Sequence, residues 1–203
     1  LNFLAHLHIA TRCQSQLMGN LLADFVRGKP DGRFSQETVE GVYLHRFVDG
    51  YIDSLDTVKA CRELFPKPLY RYSAIALDIF WDHALATQWS LFHPSGFEPF
   101  LRDAEHQCRA AISREPFPLP EHFLHLHNKM WKEQWLPSYQ DIHTLPFVLK
   151  RMSARSPRMG PLAETAHVLI EHRETLLAQF PSIYSDVLHA ASTFKAQQKE
   201  KRP

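Results

Sequence analysis

No stretch of this 203-residue chain reaches the roughly eighteen consecutive apolar residues that a membrane-spanning helix needs. The opening Leu1–His8 lacks a basic n-region and a long apolar run, so neither a signal peptide nor a membrane anchor is expected. Cysteine is scarce. Cys13, Cys61 and Cys108 are odd in number and lack CxxC spacing, which argues against a disulfide framework or a zinc knuckle and fits a reducing, cytoplasmic setting. The seven glycines form no Walker loop, GxGxxG or GxSxG element, removing the common nucleotide-binding and serine-hydrolase readings. An excess of either charge is missing as well: a formal net charge of +1 argues against a general nucleic-acid binder.

What the chain does have is helical periodicity. With 44% hydrophobic and 12% aromatic residues it can bury one sizeable core, so a single all-α domain is expected over residues 1–203, with 197–203 a polar, frayed tail. Apolar spacing predicts a helix over Gln16–Arg27, ended by Gly28 and Pro30, and a second after Ser35 that carries His45, Arg46 and Asp49. Further helices are expected over Ser54–Leu64, Ser73–Leu91, Phe97–Ile112, His122–Trp135, Ile142–Met152, Pro161–Leu177 and Ser182–Lys195. Apolar residues cover nearly the whole circumference of Ser73–Leu91, which marks it as the central helix.

Against that apolar background stands an unusual set of metal-capable side chains: His6, His8, Asn20, Asp24, His45, Asp49, Asp53, Asp78, Asp82 and His83. The pairs Asn20/Asp24, His45/Asp49, Asp49/Asp53 and Asp78/Asp82 are spaced by four, which on a helix puts each pair on one face with Cβ atoms roughly 5–6 Å apart. Any one of these residues is more readily a satisfied structural group, but unpaired buried charge is costly and several helices present such groups together. A divalent ion between helices would offset their shared negative charge. Histidine and aspartate without cysteine favour a borderline or hard divalent ion such as Mn2+, Mg2+ or Fe2+ over a structural zinc. The chemistry implied is metal-assisted hydrolysis, and Arg27 and Arg46 are placed to clamp a phosphate beside it.

Four ordered blocks carry a resemblance to a known family: Asn2-Phe3-Leu4-Ala5-His6-Leu7-His8; Gly19-Asn20-Leu21-Leu22-Ala23-Asp24-Phe25-Val26-Arg27-Gly28; His45-Arg46-x-x-Asp49 with Asp53; and Leu77-Asp78-x-x-Trp81-Asp82-His83. Glu133-Gln134-Trp135 and Ser153-x-Arg155-x-Pro157-Arg158 add to it. The sequence closely resembles the bacterial acyl carrier protein phosphodiesterases, a family that looks like a divergent branch of the HD-domain metal phosphohydrolases. The resemblance implies an all-helical HD-like fold and Mn2+-dependent hydrolysis of the 4′-phosphopantetheine group from holo-acyl carrier protein.

Carried over residue by residue, Asp24 takes the place of the HD aspartate, and Asp78 or Asp82 supplies the distal one. Ala23 stands where an HD doublet has histidine, so His6 and His45 are the candidate imidazole ligands. His83 either ligates metal or holds Asp82 in place. Asp49 is the candidate proton acceptor, and Asn20, Arg27 and Arg46 the substrate-binding residues. An acidic carrier would dock on basic surface, either Lys150–Arg158 or Arg27–Arg33. Two other readings are an HD-type phosphohydrolase acting on a nucleotide or small phosphodiester, and a non-catalytic helical module that binds the carrier.

Overall fold

The computed structural model describes residues 1–200, and it contains helices and no strand among them. In chain order the helices are α1 (Phe3–Arg12), α2 (Leu17–Leu22), α3 (Gln36–Ser54), α4 (Asp56–Arg62), α5 (Lys67–Tyr70), α6 (Ser73–Thr87), α7 (Phe97–Arg114), α8 (Glu121–Lys132), α9 (Trp135–Ser138), α10 (Thr144–Ser153), α11 (Thr165–Glu171) and α12 (Arg173–Glu200). Short 3-10 segments cover Ala23–Phe25, Trp89–Leu91 and Pro157–Glu164. The all-α expectation therefore holds.

The expected central helix is central. In α6 the residues Ala76, Leu77 and Ile79–Ala86 are all buried, polar Asp82 and His83 among them. Helix α1 lies against it, and its N-terminus is held in an unusual way. No acidic residue stands in the first turn of α1 and Asn2 makes no side-chain cap, so the amides of Leu4 and Ala5 have no local acceptor. Asp82 reaches across from α6 and accepts from both, Oδ2 from Leu4 N at 2.8 Å and Oδ1 from Ala5 N at 3.0 Å.

Helices α2 and α3 cross with almost no space between them. A Cβ on Gly41 would lie 2.9 Å from the Gly19 carbonyl carbon and 3.0 Å from the Asn20 nitrogen; one on Gly19 would lie 2.6 Å from the Thr38 oxygen. Only glycine permits this approach, and it brings the end of α2 alongside His45.

Three departures from the expected helices have physical causes. The Gln16–Arg27 helix is α only over Leu17–Leu22; it tightens into a 3-10 turn at Ala23–Phe25, and Val26 is extended at φ −112°. Gln134 takes a left-handed conformation at φ 55°, which separates α8 from α9 and removes Trp131 and Trp135 from a common helix. Pro181 does not end a helix but lies inside α12. Its ring nitrogen cannot donate to the Leu177 carbonyl one turn earlier, and Gln88 supplies the missing donor, Nε2 to Leu177 O at 2.9 Å. The expected frayed tail is likewise helical through Glu200, and its remaining residues 201–203 lie outside the described residues.

The far part of α12 returns to α3. Lys195 Nζ lies 2.7 Å from Glu40 Oε2, both side chains largely buried, and the Phe47 and Phe194 rings stack with centroids 4.2 Å apart. Both contacts flank the stretch of α3 that carries His45.

Candidate metal centre

Helix α3 presents His45 and Asp49 one turn apart on one face, as their spacing predicts. Helix α1 brings His6 to the same place, and the 3-10 turn after α2 brings Asp24. His45 Nε2 lies 3.0 Å from Asp49 Oδ2 and 3.2 Å from Asp24 Oδ1, while His6 Nε2 lies 3.1 Å from Asp49 Oδ1. The two imidazoles stack with centroids 3.7 Å apart, inclined by 16°. One ligand atom from each of His6, His45 and Asp49 falls within a 4.8 Å span.

The electrostatics of the cluster are lopsided. Burial, reinforced by His45 alongside, brings His6 down to about 4, so its ring is neutral. At His45 burial opposes charge, yet hydrogen bonds to Asp24 and Asp49 carry it up to about 9. Burial works against ionised Asp49 too, but the flanking imidazoles hold its carboxyl far below the usual range, and contact with His45 keeps Asp24 below it as well. Without a metal, then, the proton on His45 lies between the two carboxylates, and the Leu1 ammonium, 3.6 Å from Asp49 Oδ1, adds a second positive charge on the Asp49 side.

Several buried atoms here are unsatisfied. Both His6 nitrogens, His45 Nδ1 and Asp49 Oδ1 have no aligned hydrogen bond. Buried polar atoms are normally paired, so a cluster of orphans with two imidazoles and two carboxylates is a donor set that a divalent ion would complete. His6, His45 and Asp49 fit such an ion, and Asp24 stands beside His45 at the edge of the group.

The other residues singled out in the sequence are placed differently. Both Asp82 oxygens are engaged by α1, and burial pushes its carboxyl up to about 7 against the amides of Leu4, Ala5 and Asn2. His83 sets Nδ1 2.7 Å from the Tyr139 carbonyl oxygen and makes no contact with the cluster among the described residues. Asp78 lies against the Leu1 amino group, and burial still raises it to about 6. The structure thus does not bring Asp78, Asp82 or His83 into the His6–His45–Asp49 group. Asn20 is buried, its amide donating to Ser15 Oγ and Gln16 O. Arg46 donates to the carbonyls of Val26 and Gly28. Arg27 is exposed, and its side chain has no hydrogen-bond or ion-pair partner among the described residues. His8, also in the sequence set, pairs with the Tyr184 hydroxyl at 2.7 Å instead.

The role sequence reasoning missed is that of Asp82 as a remote helix cap. The sequence carried no signal for it, because Asn2, a preferred cap residue, stands at the N-cap of α1 and only the structure shows that its side chain makes no cap.

These features define a class: an all-helical protein with a mostly buried imidazole–carboxylate cluster, opened to solvent at Asp24, whose side chain is 57% exposed. A family profile described as acyl carrier protein phosphodiesterase matches residues 1–187. Relatives bearing that name are 38% identical over 194 residues in Pectobacterium atrosepticum, covering 95% of this chain and 98% of the relative. The corresponding Klebsiella pneumoniae protein is 38% identical over 192 residues, covering 94% and 97%. One from Escherichia coli is 37% identical over 193 residues, covering 95% and 98%. No solved structure matches this chain. The chain belongs to the acyl carrier protein phosphodiesterase family.

Proposed function

We propose that this protein hydrolyses the phosphodiester joining 4′-phosphopantetheine to the serine of holo-acyl carrier protein. Water adds across the bond, and the products are apo-protein with a free serine hydroxyl and 4′-phosphopantetheine. The observation that carries this reading, beyond family membership, is the His6–His45–Asp49 group, its imidazoles buried and its carboxylate part-exposed, with its orphaned donors and the exposed Asp24 at its rim.

His6, His45, Asp49 and Asp24 would hold a divalent ion, Mn2+ in this reading with Mg2+ or Fe2+ as alternatives. Such an ion polarises a phosphoryl oxygen and lowers the pKa of water. Asp49, gripped by both imidazoles, serves better as a ligand than as a base. Asp24 touches the cluster through Oδ1 only, so its Oδ2 is the carboxylate oxygen best placed to accept a proton from water. Arg27, unpartnered and close in sequence, is the cation for a substrate phosphate. This arrangement reads as a divergent HD-type centre in which His6 and His45 replace the missing doublet histidine.

The carrier docks on α10. Phe147 is 71% exposed there, and Lys150 and Arg151 lie three and four residues on, sharing its face. An acidic carrier complements that face, and its docking weakens with salt. Three buried free thiols fit a cytoplasmic protein, and no helix among the described residues is long and apolar enough to cross a membrane.

The test is intact-mass analysis of holo-carrier incubated with the protein and Mn2+, with a chelator control and an Asp24→Asn variant. Metal-dependent conversion to apo-carrier, lost in the variant, is expected. No conversion by folded, metal-loaded protein would reject the function for that carrier.

A further inference from the structure

Asp24 stands on a weak element. Its 3-10 turn is only three residues long, Ala23–Phe25, and ends where Val26 N donates to Ala23 O at 3.2 Å; the chain from Val26 to Arg33 has no helix or strand. Gly28 and Gly32 in that stretch have φ of +72° and +71°, a region that disfavours any other residue. A carboxylate on such a loop would sample many positions unless the backbone were tied down.

Two arginines tie it, in alternation. Arg46 Nη1 donates to Gly28 O at 2.8 Å and its Nη2 donates to Val26 O. Arg33 Nη1 donates to Arg27 O at 2.7 Å and more weakly to Lys29 O at 3.4 Å. Carbonyls 26 and 28 thus go to one guanidinium, and 27 and 29 to the other. Tyr43 on α3 adds a hydroxyl bond to Asp31. Arg46 is the member that matters to the site, because it is next to His45 on α3. One turn of α3 therefore holds the Asp24 carboxylate through His45 and the backbone just beyond it through Arg46.

We propose that Arg46 is a positioning residue: its guanidinium fixes the Val26–Gly28 backbone to α3 and so sets Asp24 against His45. The planar fork is what spans two carbonyls; a lysine ammonium reaches one as a point donor, and glutamine has a single short amide. The proposal deepens the reading of Asp24 as part of the centre and rests on it.

The experiment compares Arg46→Gln, Arg46→Lys and Arg27→Gln, each alone and with Asp24→Asn. Mn2+ affinity is read by titration calorimetry, backbone protection of residues 24–29 by hydrogen exchange, and KM and kcat on holo-carrier where turnover is present. Arg46→Gln is expected to weaken Mn2+ binding about tenfold, the scale seen when groups supporting metal ligands are removed, and to speed exchange over residues 24–29. Arg46→Lys recovers part of both. In the Asp24→Asn background Arg46→Gln has no further effect on Mn2+, because it acts through that carboxylate. Arg27→Gln leaves Mn2+ affinity unchanged and raises KM.

Wild-type Mn2+ affinity in Arg46→Gln with a raised KM would make Arg46 a direct substrate contact and overturn the proposal. So would losses that multiply in the double variant. Should the wild-type protein bind no Mn2+, the metal reading falls and exchange alone decides: unaltered protection of residues 24–29 in Arg46→Gln then overturns the positioning role.

Discussion

Metal binding to this centre should release one proton and grow stronger with pH up to about 9. His45 is the group responsible: its imidazole goes from an ordinary value near 6.5 to about 9 in the metal-free protein, because Asp24 and Asp49 both accept from Nε2. A metal ligand must be the neutral ring, so the ion competes with that proton. At pH 7 the neutral fraction is on the order of one in a hundred, and apparent affinity rises roughly tenfold per pH unit from pH 7 to 9 before levelling. His6 adds no slope in this window, because it is already neutral above about 4. Asp49 and Asp24 add none either, since both are held below the usual carboxylate range and stay ionised. The assay is anaerobic Mn2+ calorimetry at several pH values in buffers of different ionisation enthalpy, which reports the protons released. A pH-independent affinity between 7 and 9, or two protons released at pH 7, would refute the argument. The same shift has a stability signature in chelator. His45 contributes about 3 kcal/mol that is fully present below pH 6.5 and is lost as pH rises through about 9.

Two further outcomes follow from packing and capping. Gly41→Ala puts a methyl 2.9 Å from a backbone carbon of α2, and overpacking of this kind should cost about 1–3 kcal/mol and lower Tm by roughly 2–12 °C on a thermal melt. Asp82→Ala leaves the Leu4 and Ala5 amides without their acceptor and should cost about 1–3 kcal/mol in denaturant unfolding, with Mn2+ affinity near wild type; a selective loss of metal with stability unchanged would make Asp82 a ligand after all.

The helical class and the central place of α6 were legible because apolar spacing is a local property and α6 is apolar around nearly its whole circumference. The pairing of His45 with Asp49 was legible for the same reason, being a matter of one helical turn. What spacing could not convey is which distant groups meet. Asp82 sits four residues after Asp78 as regularly as Asp49 follows His45, yet it is spent on α1 amides that only the tertiary fold brings near. Arg46 read as a phosphate clamp from its place beside His45, and its attachment to Val26 and Gly28 depends on how tightly two glycines let α2 approach α3. The break expected between Leu177 and Ser182 does not occur, because the Gln88 amide that meets the Leu177 carbonyl, one turn before Pro181, comes from 89 residues away.

The return of α12 onto α3 also sets a schedule during synthesis. Lys195 is 155 residues downstream of Glu40, so at ~5–20 residues per second the ribosome needs roughly 8–30 s after making α3 before that partner exists. His6, Asp24, His45 and Asp49 have all been translated by then, while the helix that pins their scaffold has not. A nascent chain therefore carries these imidazoles and carboxylates on an unfastened helix, and a segment made much later is the one that fastens it.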